Sequence, residues 1–129
     1  MNEQRKILVN VWLDKSLNAF HDAELLFDND RFAGCLNRLY YSAFYAVSAA
    51  LLSIGFTSKT HKGIIILFHE HLISTNSMDK NYAALYSKLF TLRHESDYLE
   101  FPDIKPKEIQ ELLLHTSTFI SEIKTNIHK

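Results

Sequence analysis

The sequence predicts an all-α protein, an antiparallel up-and-down bundle of about five helices forming one domain over residues 1–129. Three observations carry this. Only three Gly and two Pro occur in 129 residues, where ordinary composition would supply about fifteen. Apolar residues recur at spacings of three, four and seven in every long segment. The segments between them are short and polar.

From about Glu3 to Asp28, Val9, Leu13, Leu17, Phe20 and Phe27 form one apolar stripe, with Asp14, Lys15, Asn18 and Asp22 elsewhere on the helix. Asp28-Asn29-Asp30 then reads as a turn in which Asp30 caps the next helix. That helix runs from about Arg31 to Ile54. Phe32, Cys35, Leu36, Leu39, Ala43, Ala46, Val47, Ala50 and Ile54 share one face. On the other face Asn37, Arg38, Tyr41, Tyr45 and Ser48 make a ridge with an apolar body and polar tips. Ala43, Ala46, Ala49 and Ala50 would let a neighbouring helix approach closely.

Gly55 is placed as a helix C-cap. Thr60 can cap a third helix from His61 to about Ser74, with His61, Ile64, Ile65, Phe68 and Leu72 inward. The run from Ile64 to Phe68 would suit a strand on its own, and the flanking helical pattern decides for helix. A fourth helix, about Asp79 to Asp97, carries Tyr82, Leu85, Leu89, Leu92 and Ser96 on one line and Tyr86, Phe90, Arg93 and Asp97 on the next. Pro102 and Pro106 bracket a short connection. The fifth helix, about Lys107 to Asn126, shows Ile109, Leu112, Leu113, Phe119, Ile120, Ile123 and, just beyond, Ile127.

Composition excludes several classes. The 47% of hydrophobic residues can build a core without disulfides or structural metal, so disorder is excluded as the main reading. A net charge of −1 creates no global field for nucleic acid, and no DNA-specific contact is expected; any polynucleotide contact must be local. The single cysteine, Cys35, cannot form an internal disulfide, which fits a reducing cytoplasm. The N-terminal stretch, broken by Asn10 and Asp14, does not read as a signal peptide. The densest apolar run, Leu39 to Leu52, is shorter than the about 20 residues needed to span a bilayer. A cytoplasmic protein with no membrane contact is expected.

Seven histidines invite a metal reading, but their spacings place no obvious third ligand beside any helical pair, and neither a metal nor a cofactor is expected. There is no Gly-rich phosphate loop, no GxSxG and no HExxH. What remains is Arg93-His94-Glu95-Ser96-Asp97-Tyr98. Arg93 and Asp97 stand four apart, so the carboxylate can orient the guanidinium. One reading is a helix-end ion pair, worth a few tenths of a kcal/mol. The other is an anion site in which Arg93 forks a phosphate beside Ser96 and Asp97, and Arg38, Tyr41 and Tyr45 offer charge and ring faces to a base. Taken alone, that ridge also suits inter-helix packing with Arg38 snorkelling. The ridge and the small-residue face exceed what one bundle side needs, which predicts a homodimer.

Three blocks, Asn37-Arg38-Leu39-Tyr40-Tyr41-Ser42-Ala43-Phe44-Tyr45-Ala46, Lys59-Thr60-His61-Lys62-Gly63 and Leu92-Arg93-His94-Glu95-Ser96-Asp97-Tyr98, resemble successive blocks of the HEPN-domain proteins. More narrowly they resemble the small stand-alone bacterial and archaeal subgroup of UPF0332 type. The resemblance covers nearly the whole chain in order. It implies an all-helical, usually dimeric domain, often encoded beside a minimal nucleotidyltransferase and acting with it as a toxin–antitoxin pair or nucleotide-binding partner. Many HEPN toxins are metal-independent ribonucleases using an Arg followed, after four to six residues, by a His, both protomers contributing to one cleft.

Arg93 matches the motif's Arg, whereas Tyr98, Leu99 and Glu100 stand where the His would fall. The substitution matters chemically. Cleaving RNA through its 2′-hydroxyl needs a group that exchanges protons near neutral pH and a cation to steady the phosphorane. Imidazole does this; phenol, with a pKa of about 10, does it poorly. The sequence therefore points first to a nucleotide- or RNA-binding module of a toxin–antitoxin or HEPN–nucleotidyltransferase system without efficient catalysis. The alternatives are an active ribonuclease toxin using Arg93 with His94 or Tyr98, and a purely structural interaction domain.

Overall fold

In the computed structural model, which describes residues 1–98 and 103–128, Asn2 starts the first helix: its side chain accepts the Arg5 N–H at 2.8 Å. This satisfies one of the donors that a helix start leaves orphaned. The helix, α1, runs Glu3–Asp28. Asp30 does not cap the second helix. It adopts φ 58 and closes α1 instead, with the Arg31 N–H donating to the Leu26 carbonyl at 2.8 Å and its own N–H to Phe27 at 3.0 Å. This is the left-handed C-terminal motif that Asp, with its short polar side chain, tolerates better than most residues.

The second helix, α2, spans Phe32–Ser53 and packs against every other α-helix. Its small residues decide this position. Ala43, Ala46, Ala49 and Ala50 are buried, and α1 answers with the buried small residues Ser16, Ala19 and Ala23. The backbones come close enough for the Ser16 hydroxyl to donate to the Ser42 carbonyl at 2.6 Å. The small-residue face is thus occupied within the chain, not reserved for a second copy. Cys35 lies in the same core, fully buried, and burial pushes its thiol up to about 12. Ile54, placed inward by periodicity, is exposed. The helix has ended: Gly55, at φ 92, turns the chain, and the Gly55 and Phe56 N–H groups close on Leu52 and Leu51.

Thr60 caps the third helix as its position suggests, accepting the Gly63 N–H at 2.9 Å. This helix, α3, is regular only over His61–Phe68 and passes into a π-helical turn, His69–Ile73, closed by the Ser74 N–H on the His69 carbonyl. The wider turn keeps Leu72 in the core and lays His71 on Phe56, ring centres 3.8 Å apart. Next, α4 begins at Asn81, two residues beyond the expected start, because Asp79 caps it: Asp79 Oδ1 accepts the Asn81 N–H at 2.7 Å. It runs Asn81–Tyr98. The last helix, α5, spans Pro106–Ile127 with Pro106 in its first turn, where a missing N–H costs nothing. Pro102, Leu99 and Glu100 lie outside the described residues.

The result is an all-α bundle with no strand among the described residues. The core is continuous through α2, with Tyr40, Phe68, Tyr86, Leu89, Phe119 and Ile123 all fully buried. Each such side chain contributes about 1.5–3 kcal/mol against the entropy of ordering it. Among the described residues no helix is long and apolar enough to cross a membrane.

Candidate functional site

Packing of α2 against α4 brings Asn37 and Asp97, sixty positions apart, within 3.3 Å, with the Asn37 amide donating to the carboxylate. Asp97 also lies 3.0 Å from Arg93 Nε across one helical turn. That contact is an ion pair, not an aligned hydrogen bond: the buried Nε–H has no accepting partner. On the α2 side, Arg38 donates from Nε and Nη2 to Asn37 Oδ1 at 3.1 and 3.0 Å. Arg38, Asn37, Asp97 and Arg93 therefore form one polar chain across the two helices.

The guanidiniums share an aromatic floor. Arg93 Cζ stands 5.7 Å from the Tyr40 ring centre and 5.5 Å from that of Tyr41, and Arg38 Cζ stands 4.9 Å from Tyr41. Contacts of this kind hold a cation in place while leaving its N–H fork available. Arg93 is only 24% exposed at its side chain, so it is positioned before any anion arrives.

The remaining sequence candidates are distributed around this centre. Tyr45 is one ring removed, 5.9 Å from Tyr41, and packs on Trp12 beneath Lys15. Ser96 is buried and its hydroxyl donates to the Arg93 carbonyl at 3.0 Å, so it supports the helix end. His94 and Tyr98 meet each other edge-on at 5.0 Å, both exposed. Among the described residues neither touches the Tyr40/Tyr41 floor.

Two members of the cluster are not singled out by helical periodicity. Tyr40, on neither assigned face of α2, is fully buried, and its hydroxyl lies 2.6 Å from His61 Nδ1. His61 is marked by its spacing only as an inward residue. Its ring stacks on Phe44 at 4.4 Å, lies against Tyr40 at 5.7 Å and meets Tyr41 edge-on at 5.7 Å. Arg93 and His61, from α4 and α3, thus rest on the same two tyrosines. The signal in the sequence is the Thr60 cap, which fixes His61 as the first residue of its helix.

Electrostatics are set by this packing. Burial, then the nearby Arg93 charge, lowers the His61 pKa from its usual 6.5. Burial pushes Tyr40 up to about 12, opposed by its contact with Tyr86 and by Arg93. A neutral imidazole beside a neutral phenol assigns the bond: Tyr40 O–H donates to Nδ1. Nε2 is left without a partner among the described residues, and it is not among the buried polar atoms, so it is open to solvent. No group of three His, Cys, Asp or Glu converges as a metal site among the described residues. The arrangement offers two guanidiniums, ring faces and one free imidazole nitrogen, a set suited to a phosphate and its attached base.

Known proteins carry the same pattern. A UPF0332 protein of Thermotoga maritima is 30% identical over 124 residues, covering 96% of this chain and 93% of its own. A UPF0332 protein of Archaeoglobus fulgidus is 30% identical over 89% of this chain and 91% of its own. A Methanocaldococcus jannaschii protein named "Putative toxin MJ0142" is 28% identical over 87% of this chain and 76% of its own. The sequence model of the HEPN domain matches residues 9–126. With the five-helix bundle and the three sequence blocks falling inside that span, the chain belongs to the HEPN domain family.

Proposed function

We propose that the chain is a toxin-type HEPN module that binds the phosphate of a nucleotide or an RNA at Arg93. The observation that carries this is the guanidinium held by Asp97 above Tyr40 and Tyr41, with Arg38 against the same ring. A phosphate meets a preformed cationic fork there, and an exposed ring edge gives a base something to stack on. Asp97 and Asn37 orient the fork, and Tyr45 extends the aromatic surface.

Through α4 alone the site binds better than it cuts, because Tyr98 stands at the motif's His position and His94 faces away from the floor. The module works in the cytoplasm as a homodimer, paired with a minimal nucleotidyltransferase as a toxin–antitoxin or nucleotide-binding system. Support comes from the resemblance, from relatives named as toxins and from the exposed apolar strip Ile7, Leu8 and Val11 on α1. The experiment is binding of fluorescent single-stranded RNA and of nucleotides to wild type and Arg93→Ala. Binding lost in the variant supports the proposal; equal binding leaves an ion pair in an interaction domain.

A further inference from the structure

We propose that His61, brought from α3, is the proton-accepting group of the Arg93 site, and that the site cleaves single-stranded RNA slowly through this imidazole in place of one on α4. This rests on the proposal that Arg93 binds an RNA phosphate. The carrying observation is geometric: His61 and Arg93 come from different helices and stand on the same pair of rings, Tyr40 and Tyr41.

Three features separate His61 from a packing histidine. Its ring is fixed on one side by Phe44, and Nδ1 is fixed by Tyr40, which sets the tautomer. The other nitrogen, Nε2, is open to solvent on the side where a phosphate at Arg93 would lie. Lys59 and Lys62 flank it, both exposed, adding positive charge for a polyanion. A core histidine would have both nitrogens satisfied. The charged and titratable groups facing it are Tyr40 and Tyr41 from α2 and Arg93 from α4; together with burial they keep it neutral, the form that accepts a proton.

The step balances without metal or redox partner. His61 Nε2 takes the proton of the ribose 2′-hydroxyl, and O2′ bonds to phosphorus while Arg93 steadies charge on the non-bridging oxygens. The P–O5′ bond breaks, and O5′ takes a proton from water. The imidazolium then gives its proton to the hydroxide left behind. The products are a 2′,3′-cyclic phosphate and a free 5′-hydroxyl, so DNA is bound but not cut.

The test compares wild type, His61→Asn, Arg93→Ala, His94→Asn and, as a control on α5, His115→Asn. Each is given a labelled single-stranded RNA and its all-deoxy counterpart, which reports binding alone. Expected is slow wild-type cleavage, unchanged in His115→Asn, and reduced about 100-fold or more in His61→Asn. Binding of the deoxy strand should stay within about two-fold in His61→Asn and be lost in Arg93→Ala. The wild-type rate should rise through a pKa below 6.5 and then level, a limb absent from His61→Asn. If His61→Asn fails to fold, Tyr40→Phe keeps the ring and removes the bond to Nδ1, and should move that limb without weakening binding. Binding without cleavage by wild type overturns the His61 proposal and spares the binding reading. Absence of binding overturns both. Cleavage that falls with His94→Asn but not with His61→Asn places the proton acceptor on α4 and also overturns it.

Discussion

Tyr40 and His61, twenty-one positions apart, are joined by a 2.6 Å hydrogen bond that ties the start of α3 to the middle of α2. The phenol holds the imidazole, and the imidazole covers the phenol. Any change at one end should therefore be read at the other.

Acid should expose this pairing. The folded state holds His61 at a pKa below its unfolded value near 6.5, so the unfolded chain binds the proton more readily. Its contribution to stability is complete above about pH 6.5 and lost as pH falls towards the folded pKa. Urea midpoints measured between pH 7.5 and 5 should fall, and His61→Gln should flatten that fall.

Arg93→Ala should leave the helix content unchanged in circular dichroism. It removes an ion pair and two ring contacts on a partly exposed side chain, a loss of about 1 kcal/mol or less. Binding of RNA or nucleotide, followed by fluorescence anisotropy, should nevertheless disappear.

Tyr98→His restores the family's Arg-to-His spacing, but Tyr98 is 78% exposed on the outer side of α4. Within one chain the new imidazole would not reach Arg93. Added cleavage should therefore rise with protein concentration as protomers pair. A rate per chain that is independent of dilution would contradict a shared cleft.

The cap of α3 should be measurable. Thr60→Ala removes the acceptor for the Gly63 N–H and should cost about 1 kcal/mol in chemical denaturation. Gly63→Ala favours an ordinary helix by about that amount. Here a Cβ would press on Ser58 and Thr60, the cap itself, so no stabilisation is expected.

At the α1–α2 contact, Ala23→Leu should destabilise by about 1–3 kcal/mol, since Ala23 is completely buried where two backbones approach. Leu25→Ala, on the exposed side of the same helix, should be within about 0.5 kcal/mol of wild type.

Helix content was legible because periodicity and scarce breakers are local properties. Helix ends were less so where side chains changed role: Asp30 closes α1 instead of opening α2, and Asp79 caps α4 from outside. Arg93 and Asp97 were legible because one helical turn separates them. His61 was not, since its partners Tyr40 and Arg93 arrive from other helices and no spacing rule links the three. The alanines of α2 were visible as a close-approach surface, but nothing local says whether α1 or a second copy will occupy it.

Cys35 gives the molecule a built-in reporter of its own opening. A thiol at zero exposure with its pKa pushed up to about 12 is almost never thiolate and never touches reagent while α2 is seated. Alkylation can proceed only during excursions that release the central helix, and that helix contacts all the others. The labelling rate under native conditions thus counts global openings and ignores fraying at the ends of α1 or α5. With a single cysteine in the chain, wild type and each substituted protein can be compared by one mass shift, without denaturant and without an added dye.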